Sequence, residues 1–412
     1  MKLTAPKGTK DILPAVSDLW QYMEEKAKYI FDKSNYQEIR TPIFEATELF
    51  CRGVGDSTDI VNKEMYTFIQ KDRSLTLRPE NTAGVVRAFI EHNMHKLPNP
   101  LKLWYKGPMF RYERPQAGRQ RQFHQVGVEV FGVKEASIDA EVIQTAIWFL
   151  KELGIGGLAL EVNNIGCPEC RMSHREKIKS SVKPRLEEFC EDCHVRYEKN
   201  PLRMLDCKNP KCKELLANEE INNVINEDYI CPACSEHFES LKVYLKVLNI
   251  DFTVNKRLVR GLDYYNRTVF EITSNALGSQ NAVCGGGRYD NLVEMLNGQP
   301  TPAVGWAMGM ERLLALMNVQ IERGLDVFVV SSDTKEALKT VDELRKAGYI
   351  ADFDPAGKKF GKQLEKASKS NAKYALILGE DEIKAGTYSL KNLQTSEQQT
   401  FPKDEALKII AK

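Results

Sequence analysis

Fixed positive charges are concentrated in one short stretch of the chain, between the apolar segments Leu101–Tyr105 and Val126–Phe131. Arg111 precedes a loop in this stretch, and Arg119 lies on the loop. A guanidinium stays charged at physiological pH, and its planar fork of donors matches the oxygens of a phosphate or a carboxylate. Arginines held on an antiparallel hairpin would therefore suit a polyphosphate and a carboxylate. A solvated charged hairpin has the same composition, so this stretch alone leaves both interpretations open.

Two later arginines occur in segments that favour the first interpretation. Arg260 lies in Leu258–Tyr265, and Arg312 lies in Gly305–Leu314. The Arg111 segment resembles motif 2 of class II aminoacyl-tRNA synthetases, and the Arg312 segment resembles their motif 3. The segments that resemble histidyl-tRNA synthetases in particular are Pro6–Asp11, Leu77–Ala83, Val259–Tyr265 and Gly285–Asp290. The motifs occur in the family's order, and the resemblance extends over essentially the whole chain.

Composition limits the class of protein. The chain has 412 residues, of which 28% are charged and 42% hydrophobic, and its formal net charge is +1. This profile is typical of a globular protein with two or three domains, in which a polyanion must be bound by a local basic surface. The first twenty residues lack the apolar core of a signal peptide, and no apolar run approaches the roughly 20 residues that cross a bilayer. We therefore expect a cytoplasmic protein without a membrane partner.

The spacing of apolar residues predicts the elements that must position the arginines. Strands with long helical connections predict an α+β catalytic domain on an antiparallel sheet, formed by residues 1–166 and 250–322. Residues 167–249 are helical and rich in cysteine, which predicts an insertion domain that binds zinc. Residues 326–412 alternate between strands and helices, which predicts a C-terminal α/β domain with a largely parallel sheet. In the resembled family this last domain binds the anticodon.

The resemblance also implies quaternary structure. The segment Ile39–Ile43 is predicted to be a short edge strand, because Pro42 lacks the N–H that a sheet interior requires. In the resembled family this region is motif 1, which forms the interface of a homodimer.

An activity follows from the resemblance: histidine and ATP give histidyl-adenylate and pyrophosphate, and the histidyl group then passes to the 3′ end of tRNA(His). An ionised carboxylate needs no base, so the main requirement is neutralisation of the α-phosphate that it approaches. By resemblance, Arg111 and Arg260 neutralise this centre as the catalytic pair. Arg312 holds the γ-phosphate, Glu113 contacts the adenine, and Mg²⁺ accompanies the triphosphate.

Selection of histidine needs hydrogen-bonding groups for both imidazole nitrogens. The motifs assign Glu129 and Tyr265 to the imidazole, and they assign Glu80, Thr82 and Gln125 to the α-amino group. The complete histidine-binding set implied by the resemblance is Glu80, Thr82, Arg111, Gln125, Glu129, Arg260, Tyr264 and Tyr265. The motif 2 loop contacts the acceptor end of tRNA in the family, and its candidate residues here are Gln116 and Arg119.

Eight of the ten cysteines fall between Cys167 and Cys234, in four closely spaced pairs. In a large chain without a secretory signal such clustering favours metal over disulfides, and paired thiolates suit tetrahedral Zn²⁺. The preferred ligand set is Cys207, Cys212, Cys231 and Cys234. A set that combines Cys190 and Cys193 with Cys207 and Cys212 is also feasible, and free thiols are the remaining alternative. If the insertion clamps the acceptor arm of tRNA, deleting residues 170–248 should impair charging more than adenylate formation.

Two other functions share parts of this pattern. A synthetase-like regulatory subunit of histidine biosynthesis would sense histidine, but such paralogues typically lack the C-terminal domain and have degraded ATP-binding arginines. A class II synthetase for threonine, proline or glycine would share motifs 2 and 3, but it does not explain Leu258–Tyr265 with Gly285–Asp290. Both comparisons favour a histidine–tRNA ligase.

Overall fold

A computed structural model describes residues 2–55, 58–115, 119–277, 282–321 and 323–410. The chain forms two compact units, Met1–Val319 and Gln320–Lys412. A helix that crosses a membrane would have to be long and apolar, and no helix in the described ranges is.

The strands of the first unit are β1 (Gln37–Glu38), β2 (Phe44–Ala46), β3 (Tyr66–Gln70), β4 (Arg73–Leu77), β5 (Leu101–Phe110), β6 (Gln122–Phe131), β7 (Leu158–Asn164), β8 (Thr253–Val254), β9 (Asn266–Ser274), β10 (Ala282–Arg288) and β11 (Ala303–Gly309). Its α-helices are α1 (Pro14–Lys33), α2 (Thr47–Val54), α3 (Thr82–Glu91), α4 (Ala136–Glu152), α5 (Pro168–Val182), α6 (Glu191–Lys199), α7 (Pro210–Leu216), α8 (Glu219–Asn226), α9 (Pro232–Val247), α10 (Leu292–Met295) and α11 (Met310–Leu316).

An eight-stranded sheet forms the centre of this unit, in the order β1-β5-β6-β11-β10-β9-β7-β8. The six strands from β5 to β7 run antiparallel to one another. The two-residue strands β1 and β8 add in parallel at the edges. The predicted α+β architecture on an antiparallel sheet is confirmed.

The two faces of the sheet have different roles because side chains alternate along each strand. Val126, Val128 and Val130 of β6 pack into the main core with residues of α1 and α4. The alternate positions of the same strand, which include Gln125 and Glu129, face the opposite side and line a cavity there. The strand β6 therefore contributes side chains to the main core on one face and to the cavity on the other.

The segment predicted as a strand at Ile39–Ile43 is irregular, with β1 before it and β2 starting just after it. The buried side chain of Arg78 donates from Nη1 to the carbonyl of Thr41 at 3.1 Å. The backbone N–H of Arg78 donates to the carbonyl of Ile43 at 2.9 Å. One arginine thus satisfies carbonyls that a neighbouring strand would otherwise pair, so the strand prediction is wrong.

The residues between β7 and β8 form a helical insertion that contains α5 to α9. Its outer part has a small core of its own, formed by residues such as Ile178, Leu215 and Ile221. The last helix, α9, returns to the sheet and buries Leu241 and Leu245 in the main core. The insertion is therefore anchored to the sheet at its base.

The elements of the second unit are β12 (Val327–Ser331), α12 (Thr334–Lys346), β13 (Ala351–Phe353), α13 (Phe360–Lys369), β14 (Tyr374–Leu378), α14 (Glu380–Ala385), β15 (Thr387–Asn392), β16 (Gln398–Pro402) and α15 (Lys403–Ile410). Its five strands are ordered β13-β12-β14-β15-β16. The first three pair in parallel, as predicted, but β15 and β16 add in antiparallel fashion. These two strands are short and largely polar, so their sequence carries little strand signal.

Candidate active site

Two adjoining cavities of about 210 and 360 Å³ lie on the face of the sheet opposite the main core. The smaller cavity is lined by all eight residues of the predicted histidine-binding set. The larger cavity is lined by Glu113, Arg119 and Arg312. Arg111, Gln125 and Arg260 line both cavities, together with backbone from β10 and β11. The residues predicted to bind histidine and those predicted to bind ATP thus meet at Arg111 and Arg260.

Glycines of β10 and β11 form part of the cavity walls. A Cβ atom on Gly285 would lie 1.7 Å from Nη2 of Arg260, and one on Gly305 would lie 2.0 Å from Oε2 of Glu129. Both distances are far below van der Waals contact, so only glycine allows these two functional groups to lie against the sheet. Gly285–Gly287 belong to a strand that pairs with neighbours on both sides.

The two arginines shared by the cavities are each fixed by hydrogen bonds. Nε of Arg111 donates to the carbonyl of Pro79 at 2.8 Å. Nη1 of Arg260 donates to Oε2 of Glu271, on β9, at 2.6 Å. Because both guanidiniums are held before any substrate arrives, they can act on developing charge with little reorganisation.

The larger cavity has additional arginine side chains in its wall. Arg312, at the start of α11, donates from Nη1 to the carbonyl of Ala282. Arg119 donates from Nη1 to Oε2 of Glu113 at 2.8 Å. Burial and the neighbouring charge of Arg119 lower the pKa of the Arg312 guanidinium. A partly buried cavity with several guanidiniums is suited to a polyphosphate.

Glu129 is the buried acceptor of the smaller cavity. Its Oε1 accepts a hydrogen bond from Oγ1 of Thr82 at 2.7 Å, and the hydroxyl of Tyr105 lies 3.4 Å from the same atom. The hydroxyl of Tyr289 donates to Oε2. Burial raises the pKa of Glu129 to about 8, and burial also raises the pKa of Tyr265 to about 12. This group of side chains can hydrogen-bond an imidazole ring.

Acceptors for an amino group lie in the same cavity. The two carboxylate oxygens of Glu80 accept from the N–H groups of Thr82 and Ala83, at 2.8 and 3.0 Å, at the start of α3. Burial raises the pKa of Glu80. Oε1 of Gln125 is buried and has no hydrogen-bond partner within the described part of the chain. A buried acceptor without a partner costs free energy, and a bound ammonium group would satisfy it.

Sequence reasoning missed several residues that support the site. Tyr289 belongs to a quoted motif but received no role, and Tyr105 is placed near Glu129 only by the alternation of β5. Glu271, the partner of Arg260, carries no motif signal. Arg203 comes from the insertion and lines the larger cavity, which no pattern in the sequence indicated.

Two loop residues were predicted to contact tRNA. Arg119 lies in the wall of the larger cavity, paired with Glu113. Gln116 lies outside the described residues. His124 is held by Glu311, with Nδ1 2.9 Å from Oε1, and its ring packs edge-on against Trp20.

The insertion contains two groups of four cysteines. The base cluster consists of Cys167, Cys170, Cys231 and Cys234. The lobe cluster consists of Cys190, Cys193, Cys207 and Cys212. The preferred ligand set is therefore wrong as a single site, because Cys207 and Cys212 belong to one cluster and Cys231 and Cys234 to the other. The chain path brings the first cysteine pair of the insertion to the last, which spacing alone could not reveal.

The geometry of both clusters fits a tetrahedral thiolate site. Within each cluster the four sulfur atoms lie within 4.8 Å of one another, and none of these eight cysteines is in a disulfide. The Sγ atoms of Cys190 and Cys207 are 3.8 Å apart. Zn–S bonds of about 2.3 Å at tetrahedral angles give sulfur separations of roughly 3.8 Å.

Backbone groups support the thiolates. The N–H of Cys190 donates to Sγ of Cys212 at 3.3 Å, and the N–H of Cys231 donates to Sγ of Cys170 at 3.2 Å. Hydrogen bonds of this kind orient metal ligands. The residues present therefore fit a zinc ion in each cluster.

Comparison with known proteins decides the family. A family profile described as histidyl-tRNA synthetase matches residues 8–313, and one described as an anticodon binding domain matches residues 326–412. The chain belongs to the histidyl-tRNA synthetase family. The resemblance predicted from the motifs is confirmed, and with it the assignment to class II aminoacyl-tRNA synthetases.

Relatives in the histidyl-tRNA synthetase family match along the whole chain. The histidine–tRNA ligase of Desulfitobacterium hafniense is 49% identical over 422 residues, covering 100% of this chain and 98% of the relative. That of Pelotomaculum thermopropionicum is 47% identical over 419 residues, with the same coverage. The apo histidyl-tRNA synthetase of S. aureus superposes with a TM-score of 0.82 at 35% identity and covers 100% of both chains. A structure described as an ATP phosphoribosyltransferase regulatory subunit/histidyl-tRNA synthetase from Bacillus halodurans C is 22% identical, with a TM-score of 0.63 and 92% of this chain covered, and it supports the fold alone.

Proposed function

We propose that this chain is a histidine–tRNA ligase that activates histidine with ATP and transfers it to the 3′ end of tRNA(His). The observation that supports this function best is the position of Arg111 and Arg260, which line both the smaller and the larger cavity. A carboxylate bound in one cavity and an α-phosphate bound in the other would meet between these two guanidiniums.

The chemistry of the first step follows from this arrangement. The ionised carboxylate oxygen of histidine forms a bond to the α-phosphorus of ATP, and the bond from that phosphorus to the bridging oxygen breaks as pyrophosphate leaves. Both reactants are anionic, so Arg111 and Arg260 lower the barrier by offsetting charge that builds up on the α-phosphate. In the second step the oxygen of a terminal hydroxyl of tRNA forms a bond to the acyl carbon and the hydroxyl proton is released, while the bond from that carbon to the phosphate oxygen breaks and AMP leaves.

The larger cavity takes the nucleotide. Arg312 binds the γ-phosphate and Glu113 contacts the adenine, as the family resemblance implies. Magnesium accompanies the triphosphate and supplies additional charge neutralisation when it is bound.

The smaller cavity selects histidine. Glu129 and Tyr265 hydrogen-bond the imidazole, and Glu80, Thr82 and Gln125 accept from the α-ammonium group, with Tyr264 beside them. A site built from hydrogen-bonding groups rejects an amino acid that lacks them, because its buried groups would remain unpaired.

Further parts of the chain have assigned roles in this proposal. Residues 1–166 and 250–322 form the catalytic domain, residues 167–249 the insertion, and residues 326–412 the anticodon-binding domain. Arg119 and Gln116 contact the acceptor end of tRNA. The insertion binds Zn²⁺ as a structural ion, and the protein acts in the cytoplasm.

The protein also acts as a homodimer in this proposal. Exposed apolar side chains support this, since Phe44 on β2 and Phe68 on β3 are 52% and 41% exposed on the two strands that flank β4, near the segment that resembles motif 1, and their ring centroids are 6.3 Å apart. Apolar side chains grouped on a surface favour burial against a partner. Light scattering during gel filtration should give twice the mass of the chain, and a monomeric mass would refute this assignment.

The experiment that tests the activity is ATP–pyrophosphate exchange with each of the twenty amino acids, without tRNA. We expect exchange with histidine alone. Folded protein that binds histidine but shows no exchange with any amino acid would refute the proposal and favour the regulatory paralogue.

A further inference from the structure

The insertion contacts the segment that lines the smaller cavity through a residue next to the base cluster. Arg171 directly follows Cys170 and donates from Nη1 to the carbonyl of Tyr265 at 2.5 Å and to that of Asp263 at 3.3 Å. These carbonyls lie on either side of Tyr264, and both tyrosines line the smaller cavity. Cys170 of the base cluster is thus adjacent in sequence to Arg171, whose side chain holds the backbone around Tyr264 and Tyr265.

The base cluster is also tied to the end of the sheet. Nδ2 of Asn164, the last residue of β7, donates to the carbonyl of Cys234 at 2.8 Å. The N–H of Arg267, on β9, donates to the carbonyl of Gly166 at 2.8 Å. The cluster therefore lies directly beyond two strands of the central sheet. An ion bound there would join the first helix of the insertion, α5, to the last, α9, at this point.

The segment between the two cysteine pairs of the lobe cluster makes a second set of contacts near the cavities. Nδ2 of Asn200 donates to Oδ1 of Asp263 at 2.7 Å. Oδ2 of Asp59 lies 3.2 Å from a guanidinium nitrogen of Arg196 and 3.5 Å from one of Arg203. Asp59 and Arg203 line the larger cavity.

The three residues that make these contacts, Asn200, Arg196 and Arg203, lie between the two cysteine pairs of the lobe cluster in sequence. A metal ion that joins those pairs would fix the largely helical segment that carries all three.

We propose that the base cluster and the lobe cluster bind one Zn²⁺ each, and that the two ions position the segment Arg260–Tyr265 and Asp59, so that histidine binding depends on zinc. Arg171 is a positioning residue in this scheme, because it acts through Tyr264 and Tyr265. The backbone hydrogen bonds that the sulfurs of Cys212 and Cys170 accept agree with ligands held for a metal. This inference rests on the proposed function for the identity of the amino acid.

The metal content tests the first part. Protein purified without a chelator should contain two zinc ions per chain by elemental analysis. The double variant Cys167→Ser/Cys231→Ser and the double variant Cys190→Ser/Cys207→Ser should each retain one. One zinc ion or none in the wild-type protein would overturn the assignment of two sites.

The variant Arg171→Met tests the second part without removing a metal ligand. We expect it to retain two zinc ions and to bind histidine roughly 10- to 100-fold more weakly in calorimetry, because a charged hydrogen bond to buried carbonyls is lost. ATP binding should not change, and in pyrophosphate exchange the KM for histidine should rise more than kcat falls.

A matched control is Arg185→Met, since Arg185 forms an exposed pair with Glu188 on the same insertion, and it should behave as the wild type. Wild-type histidine affinity in Arg171→Met with two zinc ions bound would overturn the positioning role. Because this variant keeps every cysteine, the result holds even if the serine variants fail to fold.

Failure of the proposed function would look different. Wild-type protein with two zinc ions that binds histidine but supports no exchange would refute the ligase activity, while the zinc count and the effect of Arg171→Met on histidine binding would stand.

The inference also predicts that deleting residues 170–248 impairs adenylate formation, because the deletion removes Arg171 and Asn200. Activation at the wild-type rate in a folded deletion variant would contradict it.

Discussion

Replacing Gly285 by alanine should displace Arg260 from the junction of the two cavities. The new Cβ atom would lie 1.7 Å from Nη2 and 2.3 Å from Cζ of Arg260. Non-bonded heavy atoms approach to about 3.5 Å, so the guanidinium has to move by roughly 2 Å. That movement breaks the 2.6 Å contact between Arg260 and Glu271.

The size of the effect follows from the role of the displaced charge. Misplacing a reacting group by about 1 Å can cost ~10² in rate, and removing a positioned charge typically costs ~10²–10³. We therefore expect histidine-dependent pyrophosphate exchange to fall by ~10²–10³. The fold should lose only about 1–3 kcal/mol, because the clashing atoms are the end of a flexible side chain and the backbone of Gly285 does not adopt a positive φ.

The assay pairs exchange kinetics with thermal unfolding. Gly156→Ala is the control, because a Cβ atom there meets nothing within 4 Å. The variant Arg260→Met should lose about as much activity as Gly285→Ala, and the double variant should lose little more, since both changes remove the same interaction. A folded Gly285→Ala protein with wild-type exchange, or a double variant whose loss is the product of the single losses, would refute this account.

Further predictions concern the buried carboxylate. The pKa of Glu129 is raised from 4.5 to about 8, so in the absence of histidine its contribution to the free energy of unfolding falls as the pH rises through that window. Glu129→Gln should therefore become more stable relative to wild type between pH 5 and pH 8.5 in urea titrations, by at most about 1.4 kcal/mol for each pH unit between the two pKa values. An unchanged difference between the two pH values would contradict the raised pKa. Tyr289→Phe removes a donor to Glu129 and should lower the free energy of unfolding by about 1–3 kcal/mol in urea titrations, with wild-type stability as the contrary result. Gly305→Ala places a Cβ atom 2.0 Å from Oε2 of Glu129 and 2.3 Å from the carbonyl of Val128; since a backbone atom cannot swing away, it should unfold at lower urea concentration than Gly285→Ala, and the reverse order would argue against the geometry of the cavity wall.

The sequence was most informative where short motifs lie on single strands. Gln125 and Glu129 are four residues apart on β6, so the alternation of the strand puts both on one face. Arg260 and Tyr265 belong to one contiguous segment that leads into β9, so their closeness in sequence keeps them together. Motif spacing therefore predicted residues that the fold brings together in the smaller cavity.

Prediction failed where long-range contacts decide the structure. Which cysteines group together depends on the path of the chain through five helices, and spacing between neighbouring pairs does not contain that path. The segment Ile39–Ile43 has a strand-like composition, but the distant side chain of Arg78 takes the place of a partner strand. The polar strand Gln398–Pro402 is defined by its pairing with β15 and not by its own apolar pattern.

The glycines of β10 and β11 limit how the specificity of this protein can be redesigned. At Gly285 and Gly305 there is no side chain to exchange, and any added atom meets Arg260 or Glu129 before it reaches a ligand. A library aimed at a different amino acid would thus gain nothing from these positions. Useful diversity is confined to the parts of the cavity walls that carry side chains, such as Tyr264, Tyr265 and Gln125.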